Sequence, residues 1–243
     1  MDLSEKLDLC ENKFTTQKHM KTCLVCAVYN NLVYLADLND NPNFKEKKKV
    51  IKKWGYGEKA KNPKGHRKTI YDKFRAEINL VRSAVVDKLD KLNYELEYSY
   101  GKNIYQTMID INDHSEHSLP IVDLAQTPFF DEIYGVEAST NTGHAVNVIH
   151  AEREKTLIFD PYYDIITGQK NIDEEEIEEN LYEKHDAVLE ISQNLFTDWW
   201  GSTRRPYWTW IFKSLETKQP SLFEFDNKKE RAEHEIRKFE ARY

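Results

Sequence analysis

Gly143-His144-Ala145-Val146-Asn147-Val148, followed by Phe159-Asp160-Pro161-Tyr162, is the stretch whose reading decides the fold. Both segments have the short, apolar, period-two character of strands, and a tight connection between them makes them neighbours in a sheet. His144 and Asp160, sixteen residues apart, then set an imidazole beside a carboxylate. That pair is half of a relay that activates a nucleophile.

The other half is sought on a distant segment, and Gln17-Lys18-His19-Met20-Lys21-Thr22-Cys23 offers it. Thr22 is suited to cap a helix that runs from Cys23 to about Leu38, apolar nearly all round and therefore expected inside the molecule. A thiol with its ordinary pKa of roughly 8.5 is mostly protonated at neutral pH, so catalysis needs a helix N-terminus, an imidazolium, or both beside it. Cys23 opens the helix and His144 supplies the imidazole, with Asp160 fixing its tautomer. Gln17, six residues before Cys23, is close enough for its side-chain amide to join the Cys23 backbone N–H in holding an oxyanion.

Gln17 and Cys23, then Gly143-His144 and Phe159-Asp160-Pro161, resemble the papain-like cysteine peptidases. The likeness is closest to two branches, the double-glycine leader peptidases of bacteriocin exporters and the YopT-type effector peptidases. The first shares glutamine six before cysteine, an aliphatic strand like Leu119-Pro120-Ile121-Val122 ahead of the histidine, and aspartate-proline sixteen after it. The second shares His144-Ala145, Phe159-Asp160-Pro161 and the wide gap between Cys23 and His144.

The resemblance implies an α+β fold in which a helical lobe with a buried N-terminal nucleophile helix packs on an antiparallel β lobe. It implies one papain-like domain over 1–243: a helical lobe at 14–95, a β lobe with the His and Asp at 96–225, and a C-terminal surface helix at 226–243. It also implies a peptidase that cleaves a peptide or isopeptide bond in a protein through an acyl-enzyme on Cys23, with no cofactor and no metal. Leu24 stands where the leader peptidases carry glycine, so their Gly-Gly specificity is not implied.

Composition sets the outer limits. A chain of 243 residues that is 40% apolar fills a real core. No run of about eighteen apolar residues is present, and Met1-Asp2-Leu3-Ser4-Glu5-Lys6 lacks the basic-then-apolar order of a secretory signal. The expected location is cytoplasmic, or exported without a cleavable signal. Three cysteines, Cys10, Cys23 and Cys26, argue against a disulfide scaffold. The net charge of −7 hides a basic stretch, Lys45 to Lys73, with twelve Lys or Arg against three acids. Trp54 and Tyr56 within it invite a nucleic-acid or anionic-membrane reading, but a solvated loop is the simpler one, so nucleic acid is not expected as a partner.

Elsewhere the apolar spacing of Ile70, Phe74, Ile78, Val81, Val85, Leu89 and Leu92 predicts an amphipathic helix. Tyr94 to Tyr98, Ile104 to Ile111, Leu119 to Leu124, Ala145 to His150 and Thr156 to Phe159 read as strands. Asp113 to Ser118 and Ala125 to Thr142 read as loops, the second long enough to cross a cleft. The acidic segment after Asn171 reads as helix, His150 as a strand residue and His185 as a helix residue. Gly143 is expected to let the chain turn tightly into its strand. Four tryptophans between Trp199 and Trp210 are more than a surface loop tolerates and are expected in the core, with a partner groove as the alternative.

Rival chemistries use the same residues. Cys26 competes as nucleophile, because Cys-x-x-Cys with the second cysteine active also occurs in papain-like enzymes, but the spacing to Gln17 favours Cys23, and Cys26 is expected as a small core residue on the same helix. A thioredoxin-like dithiol at Cys23 and Cys26 needs a buried strand directly before the motif, and Phe14 to Thr22 is polar. Zinc on Cys23, Cys26, His114 and His117 lacks a second cysteine pair, and those histidines read as a solvated turn. The same triad with an amine in place of water gives an acyltransferase or transglutaminase, and a silent binding module using the cleft stands as the non-enzymatic alternative.

Overall fold

The computed structural model describes residues 1–17, 23–38, 85–86, 89–90, 93–99, 101, 103–112, 117–136, 143–170, 181–182 and 185–215. Its centre is β3 (Gly143–Ala151), paired antiparallel with β2 (Ile121–Ala125) on one side and β4 (Lys155–Phe159) on the other. Beyond β4 come β6 (His185–Ser192) and the two-residue β5 (Leu181–Tyr182), and beyond β2 come β7 (Thr209–Ser214) and β1 (Tyr94–Ser99). The sheet order is β1-β7-β2-β3-β4-β6-β5, with every pairing antiparallel.

Val146, Val148, Ile149, Ile158 and Leu189 are all inaccessible, as expected of central strands covered by helices on both faces. The helices are α1 (Leu3–Lys13), α2 (Cys23–Leu38), α3 (Ile104–Asn112), α4 (Gln126–Tyr134), α5 (Tyr163–Lys170) and α6 (Gln193–Gly201). α2 and α3 pack on β3, α1 on β3 and β6, and α6 on β2. The described chain is therefore α+β, an antiparallel sheet layered with helices. Among the described residues no helix is long and apolar enough to cross a membrane.

A buried polar network fixes α2 against the sheet. Asn147 on β3 donates through Nδ2 to Ala27 O and to Asn31 Oδ1, each at 3.0 Å. Asn31 Nδ2 in turn donates to Leu119 O at 2.7 Å, and the Ser118 hydroxyl accepts from Phe212 N at 2.9 Å. Side-chain amides this deep are tolerated because they are bonded, and the bonds specify one register of helix on strand.

Three expectations are corrected. Ile104 to Ile111 is helix, not strand: Ile104, Met108 and Ile111 are the buried positions, spaced four and three apart, and Asn103 Oδ1 caps the first turn by accepting from Gln106 N at 3.1 Å. The segment from Ala125 is not all loop, because Gln126 to Tyr134 forms α4, ended by Gly135 in the left-handed conformation (φ 58°). His185 opens β6 and so belongs to a strand, and Leu181–Tyr182, within the acidic segment, is strand as well.

The tryptophans belong to the core. Trp200 and Trp210 are inaccessible and Trp208 nearly so, and Trp200 Nε1 donates to Trp208 O at 2.9 Å across the turn from α6 to β7. Val85 and Leu89 are helical and buried. The rest of the repeat from Ile70 to Leu92, with Thr22, residues 45–73, 171–180 and 226–243, lies outside the described residues.

Candidate active site

His144 sits one residue into β3, and Asp160 follows directly on β4, so the antiparallel pairing brings the two together. His144 Nε2 lies 2.7 Å from Asp160 Oδ1. That oxygen also accepts from the Tyr162 backbone N–H at 2.8 Å, and Oδ2 accepts from the Tyr134 hydroxyl at 2.5 Å. Asp160 is wholly inaccessible, and these three donors meet the requirement that a buried carboxylate be hydrogen-bonded.

The other side of the imidazole faces Cys23. Burial by itself would lower the pKa of His144; the charge and hydrogen bond of Asp160, with a hydrogen bond and charge from Cys23, outweigh it and raise the value to about 10. With Nε2 engaged by Asp160, Nδ1 is the ring nitrogen left for the thiol. Cys23 and Asp160 thus both act on the same imidazole.

Aromatic rings hold the imidazole between these partners. Phe129 stacks on it with centroids 5.5 Å apart, and Phe130 and Tyr162 meet it edge-on at 5.1 and 6.0 Å. Trp199 on α6 backs Phe129 at 5.5 Å, so the tryptophan-rich segment supports the site from behind. Such a box keeps water away and fixes the plane of the imidazole.

Of the three cysteines, Cys10 and Cys26 are buried and Cys23 is partly accessible. Burial pushes the Cys10 thiol well up. Cys26 Sγ donates to Thr15 O at 2.8 Å, as a core residue does. Cys23, the first residue of α2, alone combines accessibility with an imidazole partner.

Gln17 ends a strap that runs from Phe14 between α2 and the turn after β4. Thr15 is gripped by Asn30, whose Oδ1 accepts from Thr15 N at 3.0 Å while Nδ2 donates to Thr15 O at 3.2 Å. Thr16 donates through its hydroxyl to Asp164, and Gln17 N donates to Pro161 O at 2.5 Å, one residue beyond Asp160. Gln17 is buried, and its Oε1 has no hydrogen-bond partner. Gln17 therefore stands beside the turn that follows Asp160, on the side of the sheet end where Cys23 and His144 interact.

Sequence reasoning missed Tyr134, Phe129 and Phe130 because their segment read as loop. It missed Asn30, though an Asn-Asn pair inside an apolar helix was a signal. Gly143 opens β3 without a left-handed φ and allows a close approach, since an ideal Cβ there would stand 1.9 Å from Asp123 Oδ1; the residues leading into it lie outside the described ones. His117 is buried, not solvated, and His114 lies outside the described residues. Comparison with protein-family models, curated proteins and solved structures finds no match.

Proposed function

We propose that the chain is a papain-like cysteine peptidase that cleaves a peptide or isopeptide bond in a protein substrate. The observation that carries this reading is the His144–Asp160 pair at 2.7 Å, with the partly accessible Cys23 close enough to raise the basicity of the same imidazole. In the proposed cycle the proton shared with Cys23 already rests on His144 Nδ1, held there by the raised basicity of the imidazole, and the Cys23 sulfur adds to the substrate carbonyl carbon. The oxyanion is met by the Cys23 backbone N–H and the Gln17 amide; a half-turn of that amide brings its NH2 to the end that now has no partner.

Collapse breaks the C–N bond as His144 returns its proton to the leaving amine, which gives a thioester. Water, deprotonated by His144, then releases the acid and restores the thiol. Asp160, buried and triply bonded, keeps the imidazole in the tautomer and orientation both transfers need.

The test is digestion of a proteome-derived peptide library, with new termini read by mass spectrometry. Cleavage by the native protein that is absent in Cys23→Ala and His144→Ala supports the reading. Activity kept by Cys23→Ala and lost in Cys26→Ala contradicts the nucleophile assignment. Products that carry an added amine instead of a free acid identify a transferase with the same triad.

A further inference from the structure

Asp123 is the one charged residue of β2, set opposite Ala145 in the pairing with β3, one step from His144. Its carboxylate rests directly on Gly143, where any side chain would displace it. It is half-buried, and no hydrogen bond or ion pair reaches it among the described residues. Among the described residues, His144 and the exposed Arg205 act on it through space. A carboxylate this desolvated and without donors is costly to hold, and a cation seated on it recovers the cost.

The position of that cation follows from the chemistry. His144 must reach the leaving amine, so the part of the substrate after the scissile bond lies at the end of β3 that begins with Gly143, where the Asp123 carboxylate rests on Gly143 on the strand face opposite His144. We propose that Asp123 is a specificity-determining residue that receives the lysine or arginine side chain of a substrate residue on the leaving-group side of the scissile bond. The inference rests on the peptidase reading above. Asp160 and Cys23 are the groups that set the protonation of His144, which leaves Asp123 for the substrate. Gly143 serves it by keeping the carboxylate seated beside the reacting pair.

Two readouts on one set of proteins test this. The first is the residue profile after the cleaved bond in a randomised peptide library, for the native protein, Asp123→Asn and the smaller Asp123→Ser. The second is the rate ratio for alkylation of Cys23 by cationic 2-bromoethylamine and anionic iodoacetate, with neutral iodoacetamide as reference. We expect Lys and Arg to be enriched severalfold after the cleaved bond and the enrichment to vanish in both variants. The cation-to-anion ratio should fall by about three- to tenfold in Asp123→Asn, the size expected for one unit charge acting across a partly wet site. It should rise in Arg205→Gln.

An unchanged ratio overturns the assignment of Asp123, as does a profile without basic preference in a protein whose Cys23 is selectively alkylated by iodoacetamide. Either result leaves the peptidase reading in place. Absence of cleavage together with unselective alkylation removes the peptidase reading, and the role of Asp123 with it.

Discussion

The Tyr134 hydroxyl donates to Asp160 Oδ2 at 2.5 Å, on the carboxylate oxygen opposite the one that holds His144. A residue from α4 thereby sets the orientation of the His144–Asp160 pair carried by β3 and the end of β4. Removing it leaves one lone-pair site of a buried anion empty. Tyr134→Phe should lower stability by ~1.5–3 kcal/mol in urea unfolding and reduce turnover, with substrate KM changed much less. A variant with full stability and full turnover would show that the bond does not hold the carboxylate.

His144 titrates high in the folded protein, about 10 against an ordinary 6.5, because Asp160 outweighs its burial. A raised pKa means the folded state binds the proton more tightly. The stabilisation is complete below about pH 6.5 and is lost as pH rises towards 10. The stability advantage of the native protein over His144→Gln should therefore shrink steadily across that window in denaturant titrations. A flat difference from pH 6 to 10 would mean that the imidazole is not charged in the fold.

Asp123 shifts in the same direction for a different reason. Burial raises its carboxyl from 3.8 to about 6, and the charges of His144 and Arg205 only partly offset this. Its contribution to stability is complete below pH 3.8 and lost as pH rises through 6. Asp123→Asn, which carries no charge at any pH, should gain on the native protein between pH 4 and pH 7, by on the order of 1 kcal/mol after allowance for partial exposure. A thermal-denaturation series over that range checks it, and a difference that narrows towards pH 7 would contradict the burial argument.

Asn30 grips both backbone groups of Thr15 and so sets where Gln17 can stand. Asn30→Ala should cost ~1–3 kcal/mol and slow acyl-enzyme formation, while Cys23 remains open to alkylation, since the thiol and His144 are not on the strap. Gln17→Ala should slow the same step on the order of a hundredfold with little loss of stability. Equal effects of Asn30→Ala on acylation and on alkylation would point to general unfolding of α2 instead.

The site was legible where its chemistry lay in local sequence. Gln17, Cys23, His144 and Asp160 announce themselves by residue type and spacing, and α2, β1, β3 and β4 by apolar period. The surroundings were not, because they come from tertiary contact. Gln126 to Tyr134 carries a proline in its first turn and is only nine residues long, so the helical spacing of Phe129, Phe130, Ile133 and Tyr134 before Gly135 was too short a signal to outweigh a loop. Ile104 to Ile111 is rich in β-branched residues, and only the Asn103 cap separates its helix from a strand. Asp123 was not singled out, because a charge in an apolar strand has its meaning here only through Gly143, a neighbour twenty residues away in sequence.

The most direct measurement is alkylation of the purified protein by iodoacetamide from pH 4 to 9, with the modified cysteine mapped by mass spectrometry and His144→Ala treated alongside. If Cys23, His144 and Asp160 work as one unit, Cys23 is labelled selectively, labelling persists well below pH 7, and both features vanish in the variant. Labelling that follows an ordinary thiol titration, identical in the native protein and in His144→Ala, would contradict the relay and leave the cleft to a role in binding.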